Sequence, residues 1–178
     1  FSSLVCTTHK DMTLFGIVTN IETGSSDPQR TPFPYQKTES ELRLQHPQVF
    51  EFLRTAFTVS VVGYTTGEGA ISHALPPSPA TIHAFIRPAT EAESVLFFSS
   101  AHFLAVLCGN NAGNPLLDEI LINILNKLMR DDMLNPALFE QYYHTLTLLL
   151  GNDYRRLKIL LQRIETTHAS TLEKQLGL

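Results

Sequence analysis

The stretch Thr13-Leu14-Phe15-Gly16-Ile17-Val18-Thr19-Asn20-Ile21 is built almost wholly of β-branched and aromatic strand formers. Such side chains pack well on a pleated surface and lose little by being held extended. Gly16 within it predicts a bulge or tight bend of the kind small barrels use at their corners. Working outward, Ser3–Thr8 reads as an earlier strand that turns through His9-Lys10-Asp11. Gly24-Ser25-Ser26-Asp27-Pro28 closes the region with good turn chemistry. Phe57–Tyr64 alternates, with Phe57, Val59, Val61 and Gly63 on one face and Thr58, Ser60, Val62 and Tyr64 on the other. Thr81–Arg87 alternates again, Ile82, Ala84 and Ile86 opposing Thr81, His83, Phe85 and Arg87. Short strands separated by turns predict a small antiparallel barrel or sandwich rather than a βαβ sheet.

A helical insert interrupts the strands. Thr38-Glu39-Ser40-Glu41 is a capping box, in which the threonine hydroxyl accepts from the third helical amide while the glutamate reaches back. Pro47 breaks the pattern and restarts it as a first-turn residue. Val49, Phe50 and Leu53 then make an apolar stripe. Helix signals return from Asn114. Leu117, Ile120, Leu121, Ile124, Leu125 and Leu128 recur on one face. Asp131–Pro136 separates this helix from a second, carrying Leu138, Tyr142, Leu146 and Leu149, which Gly151 ends. Tyr154, Leu157, Leu160, Leu161 and Ile164 mark a third. Three helices with short connections predict an antiparallel bundle. The first two carry apolar residues on a second side (Leu116, Ile122, Phe139, Tyr143, Leu148–Leu150), which asks for further packing, within the chain or against another protein.

At 178 residues and 43% hydrophobic, the chain can bury one or two cores. No run reaches the roughly 18 apolar residues that a bilayer span requires. The opening residues show no basic segment followed by an apolar one, so a cytoplasmic location is expected. A net charge of −4 argues against unaided binding to nucleic acid, which needs concentrated cations. Arg155, Arg156, Lys158 and Arg163 scatter around a polar arc and read as a solvated face. Cys6 and Cys108 are expected to be free, buried thiols.

Chemical motifs are lacking. Gly63-Tyr64-Thr65-Thr66-Gly67-Glu68-Gly69 is glycine-rich, but no lysine follows and Glu68 would repel phosphate. It reads as a hairpin or loop. Cys6-Thr7-Thr8-His9 is half of a zinc site without a second close pair. Asp118-Glu119 suits a helix start and Asp131-Asp132 a turn. No catalytic residue, cofactor or metal site is assigned.

Several short words together carry a family resemblance. They are Phe15-Gly16-Ile17-Val18-Thr19 with the following Glu22-Thr23-Gly24-Ser25 turn, the insert ending Pro47-Gln48-Val49-Phe50-Glu51-Phe52-Leu53, and the strand Val59-Ser60-Val61-Val62-Gly63-Tyr64. To these is added the proline lead Pro76-Pro77-Ser78-Pro79 into Ile82-His83-Ala84-Phe85-Ile86. Over roughly the first half of the chain this resembles the HAS barrel of HerA-type ATPases and rotary ATP synthase subunits. The resemblance starts at what looks like the family's second strand. Either the first is lacking, or its residues are disordered, or the barrel is open. An open edge would suit strand addition by a partner.

The expectation is an α+β protein, with a HAS-barrel-like domain over residues 1–100 and a helical domain over 101–178. The resemblance implies a non-enzymatic assembly or adaptor role, docking to a HerA-like P-loop ATPase or a DNA-processing nuclease, with homo-oligomerisation open. The candidate interface is Pro76, Pro77 and Pro79 with Phe33 and Tyr35. The alternative is a nucleic-acid accessory factor in which Phe33, Tyr35 and Lys37 join Arg30.

Overall fold

The computed structural model describes residues 1–27, 35–67, 69–151 and 153–164. Strands β1 (Leu4–His9), β2 (Met12–Ser25), β3 (Leu53–Thr66) and β4 (Arg87–Pro88) form one sheet in the order β3-β2-β1-β4. Between β2 and β3 lie α1 (Glu39–Gln45) and α2 (Gln48–Glu51). After β4 come α3 (Glu91–Phe98), α4 (Phe103–Asn110), α5 (Leu117–Arg130), α6 (Pro136–Leu150) and a last helix α7 over 154–164. The class is α+β, as the strand and helix patterns predict.

The sheet is open, which corrects the expected barrel: no described strand joins β3 to β4. The physical reason lies in residues 81–86. They alternate like a strand, yet His83 takes a positive φ of 64° and Ala84 N–H turns back to the Thr81 carbonyl at 3.0 Å. Only Arg87 and Pro88 pair with β1, opposite Cys6 and Val5. β-propensity is realised only where a neighbouring strand is in reach. Without that last long strand the sheet has nothing to close on.

The chain divides into two compact units, Phe1–Thr19 with the residues from Val59 on, and Asn20–Thr58. In the first, β1 and β2 make a tight antiparallel hairpin from Leu4↔Ile17 to His9↔Met12. Its two-residue turn places Lys10 at φ 53°. From Leu14 to Thr19 every residue of β2 is buried, so both faces of this strand are covered. β3 comes close at Gly16: a Cβ there would clash with Val59 Cγ1. The sequence flagged this glycine for a bend, and close strand approach is what the fold uses it for.

Leu4, Cys6, Phe15, Ile17 and Val62 of the sheet share one hydrophobic cluster with all five later helices. Its centre is aromatic. The Phe97 ring lies 5.4 Å from Phe15, 5.2 Å from Phe98 and 5.2 Å from Phe103, centroid to centroid. Phe103 continues to Tyr142 at 6.0 Å, and the buried Tyr142 hydroxyl donates to the Phe98 carbonyl at 3.0 Å. The six residues predicted for the core face of α5, from Leu117 to Leu128, are all buried, and Ile122 with them. On α6 the buried set is Tyr142, Leu146 and Leu150, whereas Leu149 is exposed. On α7 Leu157, Leu160 and Ile164 turn inward.

Ion pairs trim the outside of this unit. Arg156 forks onto Asp118, with Nη2 2.7 Å from Oδ1, and Arg163 onto Glu119, so the acidic start of α5 holds α7. Half of the basic face expected to be solvated is therefore engaged within the chain. Thr90 and Glu93 form a capping box at the start of α3. The same Glu93 carboxylate takes a bidentate bond from Arg87 of β4, at 2.7 Å to each oxygen. These bonds, Arg87's first and Thr90's after, hold the Glu93 carboxyl down at about 2 against a normal 4.5. Its charged form is preferred in the fold, so this contribution is full above about pH 4.5 and is lost as pH falls through about 2. Replacing Glu93 by Gln is expected to cost about 1–2 kcal/mol near neutral pH. It should also flatten the loss of stability on that acid limb, as read from urea midpoints along a pH series.

Candidate interaction surface

The loop from Leu75 to Ile86 leaves the sheet after a single bridge, in which Tyr64 and Ser72 exchange backbone bonds at 2.9 and 2.8 Å. In the glycine-rich stretch before it, Gly67 N–H donates to Asp11 O and Thr65 Oγ1 to Gly69 O. Glu68 lies outside the described residues. The prolines Pro76, Pro77 and Pro79 fix φ along the loop and remove donors, so the segment is stiff without pairing. Pro76 is half-buried, and Pro77 and Pro79 are exposed. β1 holds the far end: Thr7 Oγ1 donates to Phe85 O at 2.9 Å, and His9 Nδ1 meets Thr81 Oγ1 at 2.6 Å. Side chains alternate along a strand, so Thr7 and His9 project from the face opposite Leu4 and Cys6.

A tethered loop then displays large apolar groups. Phe85 is 95% exposed and Ile82 83%, with Leu75 also open. The alternation that suggested a strand missed them. The preceding proline run was the available signal.

The second unit, Asn20–Thr58, is of a different kind. None of its described residues is buried. The distal ends of β2 and β3 form a two-stranded ribbon, closed by Ser26 N–H donating to Phe52 O at 2.7 Å and by Thr23 and Thr55 hydroxyls 3.0 Å apart. The capping box of α1 is formed as read from the sequence, with Thr38 N–H donating to Glu41 at 2.8 Å. Pro47 separates α1 from α2, also as expected. Yet Ile21, Leu44, Leu53 and Phe57 are exposed, Leu44 at 84%. Arg43 covers Phe50 by a cation–π contact at 4.4 Å. Tyr35 packs on His46, ring centroids 4.8 Å apart, and the Lys37 ammonium donates to Gln45. Phe33 and Arg30 lie outside the described residues. Of the candidate interface, Tyr35 thus belongs to one unit and the three prolines to the other.

Reactive chemistry is muted where it is visible. Cys6 and Cys108 are free. Burial first, then Glu93, pushes the Cys6 thiol up to about 11, and burial raises Cys108. Among the described residues no three His, Cys, Asp or Glu side chains are grouped to hold a metal ion. No single described helix is long and apolar enough to cross a membrane; α3 and α4 pass by composition only as a pair bent by 90°. No family model, curated protein or solved structure matches the chain.

His73 anchors the start of the exposed loop. Its ring stands edge-on to Phe97 at 4.9 Å and lies 6.2 Å from Phe103, with Nδ1 buried and unpaired. Burial, with His102 adding to it, lowers its pKa below 6.5. The folded state therefore prefers neutral His73. Its contribution is full above about pH 6.5 and lost as pH falls through the lowered value. A His73→Leu variant is expected to lose less stability than the parent between about pH 7.5 and about pH 5.5, measured by urea denaturation at both.

Proposed function

We propose that this chain is a non-enzymatic assembly or adaptor protein acting through protein contacts. In this reading the sheet is an opened relative of the HAS barrel, and the partner is a P-loop ATPase or a DNA-processing nuclease, as the resemblance implies. The observation that carries the reading is the unit Asn20–Thr58: some forty residues in which no described residue is fully buried, with Leu42, Val49, Phe50 and Phe52 only half-buried. Segments of that size rarely hold a fold without a core, a staple or a partner. Its apolar residues Ile21, Leu44, Leu53 and Phe57 supply what a partner would cover. The stiff loop carrying Ile82 and Phe85 supplies a further apolar contact. Two free thiols suit a reducing, cytoplasmic compartment.

The test is affinity capture of the whole chain from its native extract, beside a Leu53→Glu/Phe57→Glu variant. Both positions are exposed, so the variant should unfold within about 0.5 kcal/mol of the parent. The parent is expected to retain a P-loop ATPase or nuclease, and the variant to lose it at least tenfold. Recovery of neither class with the parent, or equal recovery with the variant, would overturn the reading.

A further inference from the structure

The turn joining α5 to α6 and the outer side of α3 enclose a cleft of about 670 Å³, within the range of ligand-binding clefts. It lies wholly in the first unit and shares no residue with the candidate interface. Its floor is apolar: Phe98 is buried, Met133 and Leu138 are half-buried, and Val95 stands half-exposed at its edge. Its charged groups come from both sides. Glu91 is on the first turn of α3, while Asp131 and Asp132 follow the end of α5, with Lys127 one turn earlier. Three carboxylates thus face one ammonium.

These carboxylates are not consumed by the fold. Three other acidic groups of this unit, Glu93, Asp118 and Glu119, are forked by arginine. Asp131 pairs with its chain neighbour Arg130 at 3.4 Å, a contact in reach of solvent and of little worth. Asp132 sits at φ 53°, a conformation that aspartate tolerates better than most residues, so the turn presents two adjacent carboxylates. An apolar floor beneath a net negative rim is complementary to a group that is apolar and cationic at once.

We propose that this cleft binds a short peptide segment of a partner protein in which a basic side chain neighbours an apolar one. The apolar side chain settles on Phe98, Met133 and Leu138, and the cation lies among Glu91, Asp131 and Asp132. Opposed charges here set selectivity and approach more than tightness. The proposal stands apart from the partner class proposed above, since either can fail alone.

The probe is a blocked pentapeptide, Leu-Arg-Phe-Arg-Leu, titrated into the whole chain at low salt and followed by amide NMR shifts. Its counterpart Leu-Glu-Phe-Glu-Leu is the control. Saturable shifts are expected at Val95, Phe98, Asp131, Asp132 and Met133 with the basic peptide alone. D131N/D132N, nearly isosteric and at exposed positions, should weaken binding at least fivefold; Lys127→Gln, which removes the opposing charge, should tighten it about twofold. Equal binding of the acidic peptide, shifts centred elsewhere, or no effect of D131N/D132N would overturn the proposal. Shifts at these residues that grow with protein concentration alone would assign the cleft to a second copy and overturn it equally.

Discussion

Phe97 is the contact on which the rest of the first unit depends. Fully buried, it touches Phe15 from the sheet, Phe98 on its own helix, Phe103 from α4 and His73 from just before the exposed loop. Sheet and helices arrive from distant parts of the chain, and this ring is where they are brought into register. Truncating a buried phenylalanine costs about 3–5 kcal/mol, a large share of the stability of a domain this size. The surrounding hydrogen bonds serve the same junction. Tyr142 ties α6 to the end of α3, and Glu93 ties the start of α3 to β4. Asn110 Nδ2 donates to Val61 O, pinning α4 to β3.

Against that centre, Asn20–Thr58 is held by other means: backbone pairing, the capping box of α1 and contacts between half-buried and exposed side chains. Hydrogen bonds of this kind add about 1 kcal/mol each and do not replace a core. The fully buried residues all belong to the first unit, while Ile21, Leu44, Leu53 and Phe57 of the second are exposed. The loop bearing Ile82 and Phe85 repeats the theme on a smaller scale. It is stiffened by prolines and tethered by Thr7 and His9, so its backbone has little freedom despite the lack of strand pairing.

Local signals in the sequence carried well. The Thr38 capping box, the Pro47 break, the core face of α5 and the Asn135–Pro136 start of α6 all depend on neighbours within a few residues, and each is found. Thr90-Glu91-Ala92-Glu93 carried the same capping signal and would have announced α3, but the apolar run behind it, Val95–Phe98, hides its helical period. What failed was long-range. Alternation in residues 81–86 matches a strand, but whether it becomes one rests on a partner strand that sequence spacing does not reveal. The cleft was equally hidden, since Asp131-Asp132 reads as a turn until α3 is seen to face it. The prolines follow from the resemblance and Tyr35 from an aromatic and basic stretch, and the fold distributes them over two units.

Hydrogen exchange of the isolated chain tests the central contrast most directly. The account predicts strong protection for β1, the proximal part of β2, α3, α4 and α5, and exchange near the intrinsic rate for Asn20–Ser25 and Leu53–Thr58 in the absence of a partner. Protection of Asn20–Thr58 equal to that of the Phe97 centre, independent of protein concentration, would show that this unit stabilises itself and would contradict the account.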